Sequence, residues 1–295
     1  MQPSASLQLQ GSIVAIATPF RDGKVDEAAF RRLVEFQIEN GTSGIVPCGT
    51  TGESATLSHE EHEQLVRLTV EIVAGRVPVI AGTGSNSTRE ALRLTESARA
   101  DGADAALLIT PYYNKPTQEG LYRHYREIAE TVDLPLIVYN CPGRTGVSIA
   151  PETVARLAPL KNIVAVKDAT ASLDWTSEVC GACDLTVLSG DDSATLAQIA
   201  VGARGVISVL ANVAPGPMAE LVAHALADRW DQARTLHHRY FRLMKTLFIE
   251  TSPIPVKAAL EMMGLIGPEL RAPLCEISEA SRAKLREAMR QVGLL

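Results

Sequence analysis

The apolar run Ile163-Val164-Ala165-Val166 leads directly into Lys167, with Asp168 and Ala169 behind it. Burial disfavours an ammonium and lowers its pKa, and only the neutral amine attacks a carbonyl. Lys167 is therefore a candidate Schiff-base nucleophile. Taken singly, a lysine at a strand end more often extends its head to water. What tips the balance is the company at the ends of the other apolar runs. One leads into Gly49-Thr50-Thr51-Gly52-Glu53-Ser54, where paired hydroxyls and glycine-freed amides could hold a small carboxylate. Others end in Thr110-Pro111-Tyr112-Tyr113-Asn114, in Tyr139-Asn140-Cys141-Pro142-Gly143-Arg144-Thr145-Gly146, and in Gly205-Val206-Ile207-Ser208. A phenol that moves protons beside an amine that binds a carbonyl suits imine chemistry. Arg144 offers a bidentate grip on a second carboxylate. Alone, each tyrosine reads as rim packing and Arg144 as a solvated loop residue.

Converging these groups requires a scaffold that brings many strand ends to one place. Short aliphatic runs recur at Ser12–Ala17, Gly44–Cys48, Pro78–Gly82, Ala105–Thr110, Leu134–Tyr139, Ile163–Lys167, Leu185–Ser189 and Gly205–Leu210. None alternates cleanly with polar residues, so each reads as a parallel strand buried on both faces. Amphipathic stretches separate them, with Phe30, Leu33, Val34 and Ile38 on one helical stripe and Leu65, Leu68 and Ile72 on another. Ser58-x-x-Glu61 and Ser87-x-x-Glu90 have the form of capping boxes. Eight strand–helix units with right-handed crossovers predict a (β/α)8 TIM barrel, an α/β fold whose chemistry sits at the C-terminal ends of its strands. An open doubly wound sheet has the same strand count. The chain beyond the eighth strand is too long for one closing helix. Asp228–Phe248, Pro255–Met263 and Ser278–Val292 read as helices, giving a barrel over 1–228 and a C-terminal helical appendage over 229–295 packed upon it.

The composition narrows the function further. Of 295 residues, 46% are hydrophobic and only 4% aromatic, so aliphatic side chains must fill the core. A net charge of −6 gives no reason to expect nucleic acid or an anionic membrane as a partner, and no apolar segment approaches the length of a membrane span. Five scattered cysteines predict free thiols in a reducing compartment. The first ten residues carry no leader-like pattern, and the expected location is cytoplasmic. Metal and nucleotide motifs are weak. His59 and His62 stand at i and i+3 rather than i and i+4, Cys180 and Cys183 lack a second pair, and Gly82-Thr83-Gly84 lacks a third glycine. The tandem His237-His238 is expected to face solvent.

Taken together, the motifs Gly49–Ser54, Tyr112-Tyr113-Asn114-Lys115-Pro116, Tyr139–Gly146, Val166-Lys167-Asp168-Ala169 and Gly205–Ser208 resemble the dihydrodipicolinate synthase (4-hydroxy-tetrahydrodipicolinate synthase) family. That family lies among the pyruvate-dependent lysine Schiff-base aldolases. The resemblance spans nearly the whole chain. It implies that Lys167 forms an imine with pyruvate and that Tyr139 passes protons in a relay with Thr50 and Tyr113. It further implies that Thr51 and the backbone at Ile207 position the pyruvate, while Arg144 receives the carboxylate of L-aspartate-4-semialdehyde. No metal or organic cofactor is implied. Tyr113 would act in a neighbouring subunit of a homotetramer built from two tight dimers. L-Lysine would act as a feedback inhibitor at a second site formed by Ser54, Ala55, His59, Asn86, Glu90 and Tyr112. The competing expectation is a sugar-acid aldolase, such as N-acetylneuraminate or 2-keto-3-deoxy-acid lyase, on the same scaffold. Sialic acid lyases usually carry a Ser-Thr pair in the first motif and lack the arginine, so Thr50-Thr51 and Arg144 favour the synthase.

Overall fold

A computed structural model describes residue 7 and residues 9–295. Most of the first ten residues, where no leader-like pattern is expected, therefore lie outside the described residues. Eight parallel strands form the barrel: β1 (Gly11–Ala15), β2 (Gly44–Val46), β3 (Ile80–Gly82), β4 (Ala105–Ile109), β5 (Leu136–Asn140), β6 (Ile163–Asp168), β7 (Thr186–Ser189) and β8 (Gly205–Ser208). Their order around the sheet is β2-β1-β8-β7-β6-β5-β4-β3, and the bridge between Ile45 and Val79 joins the two ends. The sheet is closed, which decides against the open alternative. All of the strands but β6 are shorter than the aliphatic runs. Val209 and Leu210 leave β8 because their N–H groups donate to the Asp192 carboxylate at 3.1 and 2.8 Å rather than to a neighbouring strand.

Side chains alternate between two apolar layers. Ile13, Val46, Ile80, Leu107, Ile137, Ala165, Leu188 and Ile207 fill the barrel interior. Val14, Ile45, Leu108, Val138, Val166, Val187 and Val206 face outward against the helices. A strand buried on both sides needs apolar residues at both parities, which is why the runs do not alternate.

The helices follow their strands as α1 (Glu27–Glu39), α2 (His59–Val73), α3 (Thr88–Ala100), α4 (Gln118–Thr131), α5 (Pro151–Leu157), α6 (Leu173–Ala182), α7 (Thr195–Ala200) and α8 (Pro215–Leu226). Ser58 and Glu61 form the expected capping box, with reciprocal bonds of 3.2 and 2.9 Å. Ser87 and Glu90 do not. The Glu90 carboxylate is taken by Ser85 Oγ and by His59 Nε2, and Ser85 Oγ also accepts the Ser87 N–H at 3.1 Å. A stronger tertiary partner replaces the local cap.

Three further helices, α9 (Trp230–Thr246), α10 (Ile254–Met262) and α11 (Glu279–Val292), complete the chain. Ala233, Leu243, Val256, Leu260, Leu285 and Met289 join the same apolar cluster as the outer barrel layer, so no seam separates these helices from the barrel. His238 faces solvent as expected, but His237 is half-buried and leans on Phe241. No helix among the described residues is long and apolar enough to cross a membrane.

Candidate active site

Lys167 and Tyr139 are register partners on β6 and β5, and both point into the barrel. Lys167 Nζ lies 4.1 Å from the centroid of the Tyr139 ring. Lys167 is 6% exposed, and burial draws its pKa down to about 8, with Cys141 and Asp192 pulling it back up and Arg144 lowering it further. Burial pushes the Tyr139 phenol well above its ordinary value, Cys141 adds to that shift, and Arg144 opposes it. Near neutral pH the lysine thus has a substantial neutral fraction, while the phenol keeps its proton until another group takes it. That is the pairing a carbonyl addition needs: a nucleophilic amine and a proton donor beside it.

The two side chains form part of the wall of a cavity of about 160 Å3. Thr50, Thr51, Cys141, Arg144, Gly190 and Asp191 line it as well, so strand ends from across the barrel do converge. Arg144 stands on a short helical turn, Pro142–Thr145, and its Nη2 donates to the Ser252 carbonyl at 3.0 Å. Phe248 and Ser252, on the segment between α9 and α10, close one side. Asp168, next to the lysine, is fully buried, and four bonds hold it. Its Oδ1 accepts from the Thr170 N–H and Oγ1, and its Oδ2 from Thr176 Oγ1 and Gln198 Nε2. Those bonds anchor the end of β6 and with it the stem of Lys167.

Not every expected residue reaches this cavity. Ile207 is buried inside the barrel opposite Ile13, and Val209, two residues on, is the β8-side residue at the cavity wall. Tyr113 is 90% exposed with φ +74° and lines neither this cavity nor the one beside it. Ser54, Ala55, His59, Glu90 and Tyr112 line a second cavity of about 470 Å3 beside the first, whereas Asn86 is half-buried next to it and accepts from Asn114 Nδ2 through its carbonyl. His62 also faces that cavity. Its Nε2 meets the Gly82 carbonyl at 2.7 Å, and burial lowers its pKa. Thr50, Ser54, Arg144 and Ser252 belong to both cavities. Among the described residues no group of three or more His, Cys, Asp or Glu side chains is placed to hold a metal ion.

Sequence reasoning passed over two residues. Asp192 is 2% exposed, and burial raises its carboxyl to about 6 against the opposing bonds from Ser208, Leu210 and Val209. Gly190 leaves the space that the Lys167 stem occupies, since a Cβ there would lie 3.0 Å from Lys167 Cε. Both follow the run Leu185–Ser189, and a strand ending in Gly190-Asp191-Asp192 carries the same signal as one ending in lysine.

A TIM barrel with a desolvated lysine and a buried tyrosine on adjoining strand ends defines a Schiff-base, aldolase-type lyase. The comparisons with known proteins agree. The sequence model of the dihydrodipicolinate synthetase family matches residues 8–292, and the chain belongs to that family. It is 57% identical over 288 residues to the 4-hydroxy-tetrahydrodipicolinate synthase of Syntrophus aciditrophicus, covering 97% of this chain and 99% of that one. The chloride-inhibited dihydrodipicolinate synthase from Acinetobacter baumannii, solved in complex with pyruvate, superposes with a TM-score of 0.96 at 51% identity, covering 98% of this chain and all of that one. The enzyme from Cyanidioschyzon merolae, solved with lysine bound, superposes at 0.94 with 40% identity, over 97% and 99% of the two chains.

Proposed function

We propose that the protein condenses pyruvate with L-aspartate-4-semialdehyde to give 4-hydroxy-tetrahydrodipicolinate, the entry into lysine and diaminopimelate synthesis. The observation that carries this reading is the Lys167–Tyr139 pair at the wall of a cavity whose other polar groups include Thr50, Thr51 and Arg144. The neutral Lys167 amine adds to the pyruvate ketone, and loss of water leaves an imine. The protonated imine acts as the electron sink, so a proton leaves C3 and an enamine forms. The enamine carbon attacks the semialdehyde carbon, and the alkoxide takes a proton. The amine of the second substrate then displaces Lys167 from the imine carbon, closing the ring and freeing the lysine. Tyr139 is the local proton carrier, in relay with Thr50 and with Tyr113 of a second copy of the chain. Thr51 and the backbone near Ile207 receive the pyruvate carboxylate, and Arg144 receives the second carboxylate.

A relay through Tyr113 requires an oligomer. The 90% exposed ring and its left-handed backbone fit a residue presented to another subunit, and a tetramer of two tight dimers is the assembly we assign. The larger cavity is the proposed L-lysine site. Glu90 suits an ammonium, Tyr112 and Asn86 a carboxylate, and the shared wall of Thr50, Ser54 and Arg144 couples it to the reaction. Five free cysteines accord with a cytoplasmic enzyme.

The test is to supply pyruvate with aspartate semialdehyde and, separately, with N-acetylmannosamine, and to trap the intermediate with borohydride. Consumption of the semialdehyde and an intact-mass adduct lost in Lys167→Ala are expected. Turnover of the amino sugar alone would assign the sugar-acid lyase reading instead.

A further inference from the structure

A buried ion pair joins the C-terminal helices to the turn that carries Thr50 and Thr51. Lys257, in the first turns of α10, is completely buried, and its Nζ donates to Glu53 Oε1 at 2.5 Å. The other carboxylate oxygen of Glu53 accepts the Arg271 N–H at 3.0 Å. Both oxygens of a 4% exposed glutamate on the barrel are therefore committed to the C-terminal region. Behind the pair, the Phe20 ring lies 4.4 Å from Lys257 Nζ and 4.2 Å from the Arg271 guanidinium. Arg271 also donates to the Thr56 carbonyl at 2.9 Å and pairs with Glu61 at the start of α2.

Stability alone is a poor reason for this arrangement, because well-packed apolar residues in place of a buried ion pair are often neutral or stabilising. Directionality is a better one. Glu53 stands in the left-handed region, φ +53° and ψ +38°, where a residue with a side chain sits only if its surroundings hold it. Its N–H donates to the Thr50 carbonyl at 3.1 Å, and its carbonyl accepts the Thr56 N–H at 3.0 Å. On the barrel side the Gly52 carbonyl accepts from Thr18 Oγ1 at 2.8 Å. Thr50-Thr51 is thus followed directly by two anchored residues, Gly52 held through its carbonyl and Glu53 pinned by its side chain, with the Glu53 N–H reaching back to Thr50. Neither Glu53 nor Lys257 lines the cavity that Lys167 lines, whereas Thr50 and Thr51, on the turn that Glu53 closes, do, so the pair acts on substrate only indirectly, through that turn.

We infer that Glu53 and Lys257 are positioning residues for pyruvate: the pair fixes the Thr50-Thr51 turn in the conformation that receives the pyruvate carboxylate. This rests on the assignment of that turn under the proposed function. The experiment uses the full-length enzyme and records the pyruvate concentration that half-saturates borohydride trapping at Lys167, together with the melting temperature. The variants are Glu53→Gln, Lys257→Met, the apolar pair Glu53→Leu/Lys257→Met, and Thr51→Val as a control on the turn itself. Each single change at the pair is expected to raise half-saturating pyruvate about tenfold, as expected for a misplaced charge-assisted contact. Trapping at saturation remains complete, and the KM for the semialdehyde stays within about a factor of two. The apolar pair is expected to regain melting temperature without regaining pyruvate affinity. If Lys257→Met fails to fold, Glu53→Gln carries the test. Unchanged half-saturation in Glu53→Gln while Thr51→Val raises it would overturn the positioning role alone. Recovery of pyruvate affinity in step with the melting temperature would overturn it equally. If Thr51→Val is silent too, the turn is not the carboxylate site and the reading beneath the proposal falls.

Discussion

Replacing Gly190 by alanine tests whether the reactive amine is held in place by packing. The added Cβ would lie 2.8 Å from Ala169 Cβ, 3.0 Å from Lys167 Cε and 3.1 Å from Ala169 N. Comfortable contacts between carbon atoms begin at about 3.5 Å, so something must yield. Ala169 is poorly placed to do so, since its N–H is bonded to the Asn140 carbonyl at 2.9 Å and the Gly190 N–H to the Asp168 carbonyl at 2.6 Å. The lysine stem is the softer partner and moves by a few tenths of an ångström. Overpacking of this kind costs about 1–3 kcal/mol, which in a chain of this size lowers the melting temperature by about 2–6 °C. A full ångström of misplacement costs on the order of 100-fold in rate, so a fraction of one predicts about a tenfold slower imine. Single-turnover borohydride trapping with saturating pyruvate measures that rate directly, and scanning calorimetry measures the strain. If trapping kept the wild-type rate and the melting temperature did not fall, Gly190 would be a neutral loop glycine and the packing argument would be wrong.

Three other outcomes are expected. Imine formation should rise about tenfold per pH unit on the acid side and level off above about pH 8, because a lysine with that pKa is about one-quarter neutral at about pH 7.5, against about one part in a thousand for an ordinary lysine; a rate still climbing steeply above about pH 9.5 would show an unperturbed amine. Arg144→Ala should leave pyruvate trapping intact while lowering kcat/KM for the semialdehyde by the equivalent of about 1.5–3 kcal/mol, and equal damage to both substrates would remove its assignment to the second carboxylate. The third concerns His124, 5% exposed, with Nδ1 3.0 Å from Thr88 Oγ1 and a pKa brought down by burial from 6.5 to about 4. The folded state resists a proton that the unfolded chain takes up, so this contribution is complete above pH 6.5 and is lost as pH falls toward 4, up to about 3 kcal/mol. Asp192, raised to about 6, works in the opposite sense, so the check is the difference in unfolding midpoint between wild type and His124→Gln over that range, which should shrink as the pH falls.

Much of the barrel was legible because every strand is buried on both faces and is therefore written as an unbroken aliphatic run. The reactive pair was legible for the complementary reason: a lysine or a tyrosine interrupting such a run has no packing justification. Bonds between residues distant in sequence were not legible. The Asp192 carboxylate ends β8 from 17 positions away, and nothing local in Val209-Leu210 announces it. Ser87-x-x-Glu90 matches a capping pattern, yet Ser85 and His59 outcompete the cap. Lys257, one cation in an apolar helix, reads as a solvated residue until Glu53 is found beside it. Tyr113 faces solvent in a single chain, and its direction is set by a loop conformation that composition does not encode.

The register pairing of Tyr139 with Lys167 has a consequence for how such an enzyme can diversify. The separation of amine and phenol is inherited from the spacing of adjacent strands, and changing it would require a slip of register that turns whole strands inside out. The groups proposed to meet the second substrate have no such constraint. Arg144 rides on a four-residue turn, and Phe248 and Ser252 on a connection between helices. Mutation can therefore explore new electrophiles by reshaping loops while the step that makes the nucleophile stays untouched. In this architecture the acceptor side is the half that loops leave free to vary, and the donor side is the half that strand register holds fixed.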